Sequence, residues 1–178
     1  SLRHLLDSLA IIDSPEADLK FSLFIRKYSI KKGIMLKEIE RLKKFLDDAQ
    51  KQKIYACIQD LLSSGIGPER FKAGESFPSR QDVTHFILAW LKHIGVPADR
   101  CRSWIIGYCE KELSKISSSS ASRIRHSTKS LIKYIYRSEA VSFDCGCEQN
   151  KLKAACEPNC PIYGEMKVKH QIRMKQLY

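Results

Sequence analysis

No run of apolar residues in this 178-residue chain approaches the roughly 18 that a membrane-spanning helix needs, although 43% of its residues are hydrophobic. The opening stretch SLRHLLDSLAIIDSPE is amphipathic and mixed in charge, unlike the apolar core of a secretory leader. A soluble, intracellular (cytoplasmic) protein is therefore expected, with no membrane partner. Catalytic signatures are also missing. There is no glycine-rich phosphate loop, no G-x-S-x-G, no H-E-x-x-H and no H-x-E with a P-C-x-x-C partner. The five histidines are scattered, and His85 and His93 on one stretch read as surface or core-edge groups. Asp144, Glu165 and Lys167 could be fitted to a metal-dependent nuclease triplet, but such triplets recur by chance and this one lacks the flanking strands. The expectation is a protein that is not an enzyme.

Acidic residues are scarce. Lys and Arg outnumber Asp and Glu by 31 to 20, a formal charge of +11, and the second half of the chain is the more basic. A polyanionic partner follows from such a balance, nucleic acid before membrane. The scarcity is greatest from Lys115 to Arg137, KISSSSASRIRHSTKSLIKYIYR, where six basic residues meet no acid at all. As a helix from about 119 to 138, this stretch puts Ile124, Thr128, Leu131, Ile132 and Ile135 on one face. Ser122, Arg123, His126, Lys129, Ser130, Lys133 and Arg137 fall opposite.

With the preceding helix and the serine-rich turn, the layout resembles a helix-turn-helix. That resemblance implies a second helix lying in the major groove of double-stranded DNA. Ser119, Ser120, Ser122, Arg123, His126 and Lys129 would then lead the contacts, with Arg125, Lys133 and Arg137 on phosphates. A plain solvated helix and a surface for an acidic protein are the competing readings. Surface helices usually mix acids among their bases, because pairs four apart stabilise them.

What the chain does have is cysteine: seven residues, of which Cys145, Cys147, Cys156 and Cys160 fall within sixteen positions as C-x-C-x8-C-x3-C. Four thiols with no secretion signal argue for a closed tetrahedral metal site before disulfides. Structural zinc is the leading cofactor. An iron–sulfur cluster competes because Cys160 is followed by Pro161, as at the end of the bacterial ferredoxin run, and unligated cysteines or disulfides are the third outcome. The spacing is similar to a SWIM-type zinc module, but has Cys160 where that module has histidine, and three residues rather than one in the second pair. Cys57, Cys101 and Cys109 fall on apolar stripes, where a free thiol acts as a small hydrophobe.

Elsewhere the periodicity predicts a helix over about 15–29 and one long helix over 34–63, or two with a bend near Gln50. A Gly- and Pro-rich connector and a helix opened by Ser79 and Asp82 and closed by Gly95 come next, then another helix from Pro97. Trp90 and Trp104 read as core anchors. Residues 140–144 suggest a short strand, 149–155 a turn of helix, and the basic tail a last helix.

The fold class is thus mainly α: a multi-helix body with a helix-turn-helix-like pair and a small C-terminal four-cysteine metal module. Its divisions are an N-terminal helical region (1–65), a connector (66–80), the paired helices (81–140), the cysteine module (141–164) and the tail (165–178). The expected function is a non-enzymatic DNA-binding protein, a transcription regulator or mobile-element component, with self-association through residues 1–65. A helical interaction scaffold and an iron–sulfur redox or iron sensor are the alternatives.

Overall fold

The stretch 34–63, expected as one long helix or as two with a bend near Gln50, is broken twice among the described residues: α1 is described over 38–43, α2 is Asp48–Lys51 and α3 is Ala56–Ser64. Asp47 makes the first break. Its backbone is extended, its carboxylate accepts from the Gln50 amide at 2.8 Å, and the Gln50 side chain accepts from the Asp47 N–H at 3.1 Å. This reciprocal capping box starts a helix wherever it stands. The second break is held from outside, because the Trp90 indole N–H donates to the Lys53 carbonyl at 3.0 Å. The computed structural model describes residues 38–146 and 150–177. The helix expected at 15–29 lies outside the described residues, as does Cys147.

The sequence from Ser79 behaves as its periodicity predicts. Helix α4, Arg80–His93, begins with a Ser79–Asp82 capping box and ends before Gly95, whose φ of 79° suits glycine alone. Val83, Thr84, Ile87, Leu88, Trp90 and Leu91 are all fully buried, so α4 is enclosed by its neighbours over far more than one stripe. Ser79→Ala removes the acceptor for the Asp82 amide and should cost about 1 kcal/mol. Thermal unfolding should record this as a fall of about 2–4 °C.

Helix α5, Ala98–Lys111, buries Cys101, Trp104, Ile105, Tyr108 and Cys109, with Trp104 stacked on Tyr108 at 5.4 Å. Helix α6, Ala121–Arg137, packs against both α4 and α5. Its far end is fixed by the Tyr136 hydroxyl, which donates to the Val96 carbonyl at 2.8 Å. The Lys92 ammonium donates to the carbonyls of Ser138 and Val141 at 2.6 and 2.9 Å, where a helix C-terminus favours a cation. The polar turn expected between α5 and α6 is the serine stretch 117–120, which follows a 3₁₀ turn rather than α5 itself. Residues 112–120 intervene, with a 3₁₀ turn at Leu113–Ile116 that buries Leu113. A helix-turn-helix joins its helices through three or four residues; here the paired helices are present, and nine residues, 112–120, separate the two α-helices.

Helix α7, Tyr163–Leu177, is the expected helical tail, and its Met166 is fully buried. Between α6 and α7 two local expectations fail. Residues 141–146 form no strand, and there is no strand among the described residues to pair with. Instead Phe143 leaves the segment to pack against Tyr55, Phe86 and His93, at centroid distances of 6.3, 5.3 and 5.5 Å. At 150–155 there is an Asx turn in place of a helical turn. The Asn150 side chain accepts from the Leu152 N–H at 2.8 Å and donates to the Cys145 carbonyl at 2.6 Å, which offers the backbone an alternative to helix. The described protein is mainly helical, and its residues belong to one unit, Met35–Tyr178.

Candidate metal centre and nucleic-acid interface

Cysteine thiols meet where the C-terminal loop crosses α3. Cys145, Cys156 and Cys160 line a cavity of about 10 Å³ together with Cys57, which projects from the first turn of α3. That volume is about one water molecule's worth. The remaining wall is Ala56, Ala155, Ile162 and Tyr163 with Asn150 and Glu157, so the four cysteines share a largely apolar pocket. The neighbouring Cys145 thiol first, and burial second, push the Cys57 thiol far above its ordinary value.

Soft thiols around a space of atomic size suit a single zinc ion better than an iron–sulfur cluster, which brings several iron and sulfide atoms. Among the described residues, no group of three or more Cys, His, Asp or Glu side chains is drawn in closely enough to hold an ion as it stands. The thiols converge without forming a finished coordination sphere.

The loop that carries these cysteines is tied down from the connector. Asp60 on α3 accepts from the two terminal guanidinium nitrogens of Arg70, at 2.5 and 2.9 Å, and from the Ala155 N–H at 2.8 Å. Burial raises the Asp60 carboxyl, but Arg70 and that N–H outweigh it and hold the group below the usual aspartate value. Arg70 also donates to the Lys153 carbonyl at 3.0 Å, and the Lys153 ammonium reaches Glu75 at 3.1 Å. The Gly- and Pro-rich connector is therefore long for a reason: it runs back to clasp the segment before Cys156.

On α6 the two faces separate as the sequence predicts. Ile124, Thr128, Ile132 and Ile135 are buried, while Ser122, Arg123, His126, Lys129, Lys133 and Arg137 are exposed. Ser120 caps the helix, accepting from the Arg123 N–H at 3.4 Å, and Ser119 is half-buried beside Ser117. From Ser122 to Arg137 the face is about 22 Å long. Arg125 is set apart. Its Nε and Nη2 grip Glu110 of α5 at 2.7 and 3.3 Å, so its charge is already answered. Among the described residues, none of Arg123, Lys129, Lys133 and Arg137 makes an ion pair.

No protein family, curated protein or solved structure matches this chain. No helix among the described residues is long and apolar enough to cross a membrane.

Two residues escaped the sequence reading. Cys57 was indistinguishable from Cys101 and Cys109, which are buried free thiols against Tyr136 and Thr84. Only the partners of Cys57, about ninety to a hundred residues away, separate it from them. Arg80 is the second: a buried cation on α4 whose Nη2 donates to Ser127 of α6 at 2.8 Å, fixing the basic helix from beneath. Its position at the start of α4 carries no sign of that role.

Proposed function

We propose that this chain is a non-enzymatic DNA-binding protein, a transcription regulator or mobile-element component, in which α6 lies along double-stranded DNA. A zinc site among the C-terminal cysteines serves as a structural staple. The observation that carries the reading is the row Arg123, His126, Lys129, Lys133 and Arg137: exposed on one rigid helix, its four Arg and Lys side chains without acidic partners among the described residues. Uncompensated cations at this spacing attract phosphates and release their counterions. The Ser120-capped N-terminus adds backbone N–H groups and a positive dipole end. Arg125, taken up by Glu110, is the least apt of the expected contacts.

Fluorescence anisotropy with a labelled duplex tests this. Affinity should fall steeply with salt. Arg123→Ala with Lys129→Ala should weaken binding about tenfold or more and lower the slope of log K against log salt by about 2. Unchanged binding in that double variant would mean the face is wrong. Elemental analysis should find zinc; a brown, iron-containing protein after anaerobic purification would favour the iron–sulfur alternative.

The scaffold reading has one observation of its own. Val168 and Ile172, one turn apart on α7, are 54% and 52% exposed, and self-association in sedimentation experiments would favour it.

A further inference from the structure

The C-terminal quartet is complete on paper without help from the helical body, yet a fifth cysteine from α3 stands at the same cavity. We propose that Cys57 is a metal ligand, binding the same soft divalent ion as Cys145, Cys156 and Cys160. This deepens the metal half of the function proposed above and is independent of DNA binding.

Three observations converge. Cys57 lines the cavity with those three thiols and, like Cys145, is buried there. The cavity has room for one atom-sized occupant, and four thiolates are the full complement of a closed tetrahedral site. Cys57 sits in the first turn of α3, whose register is set by the Lys53 carbonyl bonded to Trp90 on one side and by Asp60 bonded to Ala155 on the other. A ligand on a braced helix facing ligands on a clasped loop is the support a metal site needs. Cys101 and Cys109, equally buried, have no second thiol within such a pocket among the described residues. On binding, the thiols release their protons to solvent and the ion takes their place. The metal then crosslinks the helical body to the C-terminal loop.

Cobalt(II) substitution of the purified full chain tests the proposal, because sulfur-to-cobalt charge-transfer absorption reports the number of thiolates. Wild type should give a four-thiolate spectrum. Cys57→Ser should lose about a quarter of that intensity or fail to retain the ion. Cys57→His, which offers a nitrogen in its place, should bind with a spectrum shifted toward three sulfurs and one nitrogen. Cys109→Ser and Cys147→Ser should keep the four-thiolate spectrum. An unchanged spectrum in either folded Cys57 variant overturns the proposal, as does loss of a thiolate in Cys147→Ser. Wild type that takes up neither cobalt nor zinc sinks both this inference and the metal reading on which it rests. Metal uptake with an intact Cys57-independent spectrum sinks only this one.

Discussion

Phe143→Ala should destabilise the protein by about 3–5 kcal/mol, the range for removing a large aromatic from a packed core. Phe143 is 1% exposed and meets three rings: Tyr55 beside α3, and Phe86 and His93 of α4. It is the apolar plug that joins the segment after α6 to the body. The neighbours are anchored in separate helices and cannot all collapse into the space left behind. The fall in melting temperature should be about 10 °C or more. Phe143→Leu should cost less than half as much, since it refills most of the volume. Calorimetry giving less than 1 kcal/mol for the alanine variant would mean that this segment is not docked on α3 and α4.

Asp60→Ala should cost about 2–3 kcal/mol, more than an exposed ion pair would. Its carboxylate answers the Arg70 guanidinium and the Ala155 N–H, and the side chains of Asp60 and Arg70 are only 19% and 15% exposed. Removing it leaves a half-buried cation and a backbone donor without their acceptor. The partial exposure keeps the loss below that of a fully buried pair. The sign with pH follows from the lowered Asp60 value. A depressed carboxyl contributes stability above its ordinary unfolded value of 3.8, and that contribution is lost as pH falls through the folded value. The gap between wild type and Asp60→Ala, measured by urea unfolding, should be full at about pH 5 and above and should close steadily below about pH 4. A gap that stays constant down to pH 2 would mean that Asp60 is not the group being titrated.

The parts legible in the sequence are those whose causes are local. Ser79 and Asp82 cap α4 from three residues apart, and the serine entrance and acid-free run of α6 produce both its helix and its two faces. Where the cause is distant, local pattern misleads. The apolar period from Ile34 to Ser63 allows one helix or two with a bend near Gln50, and nothing near Lys53 announces that Trp90 will claim its carbonyl. Residues 140–144 alternate as a strand does, but alternation needs a neighbouring strand, and Phe143 found an aromatic pocket instead. Asn150 is read correctly as a turn former only once its second bond, to Cys145, is known. Cys57 belongs to the same class. Its apolar setting was legible and its companions were not.

The clasp between connector and cysteine loop also has a consequence in time. Helices α4 to α6 are consecutive and pack on one another, so their assembly closes only short loops. The bonds from Asp60 to Ala155, from Arg70 to Lys153 and from Glu75 to Lys153 each join points roughly eighty to ninety-five residues apart. Chain-closure entropy makes such contacts late. As the chain is synthesised, α3 and the connector emerge before the segment that will cover them. They wait with Cys57 and Asp60 uncovered until residues 143–166 arrive. Loop length thus places docking of that segment after the packing of α4 to α6, and the apolar wall of the cysteine cavity is completed with it.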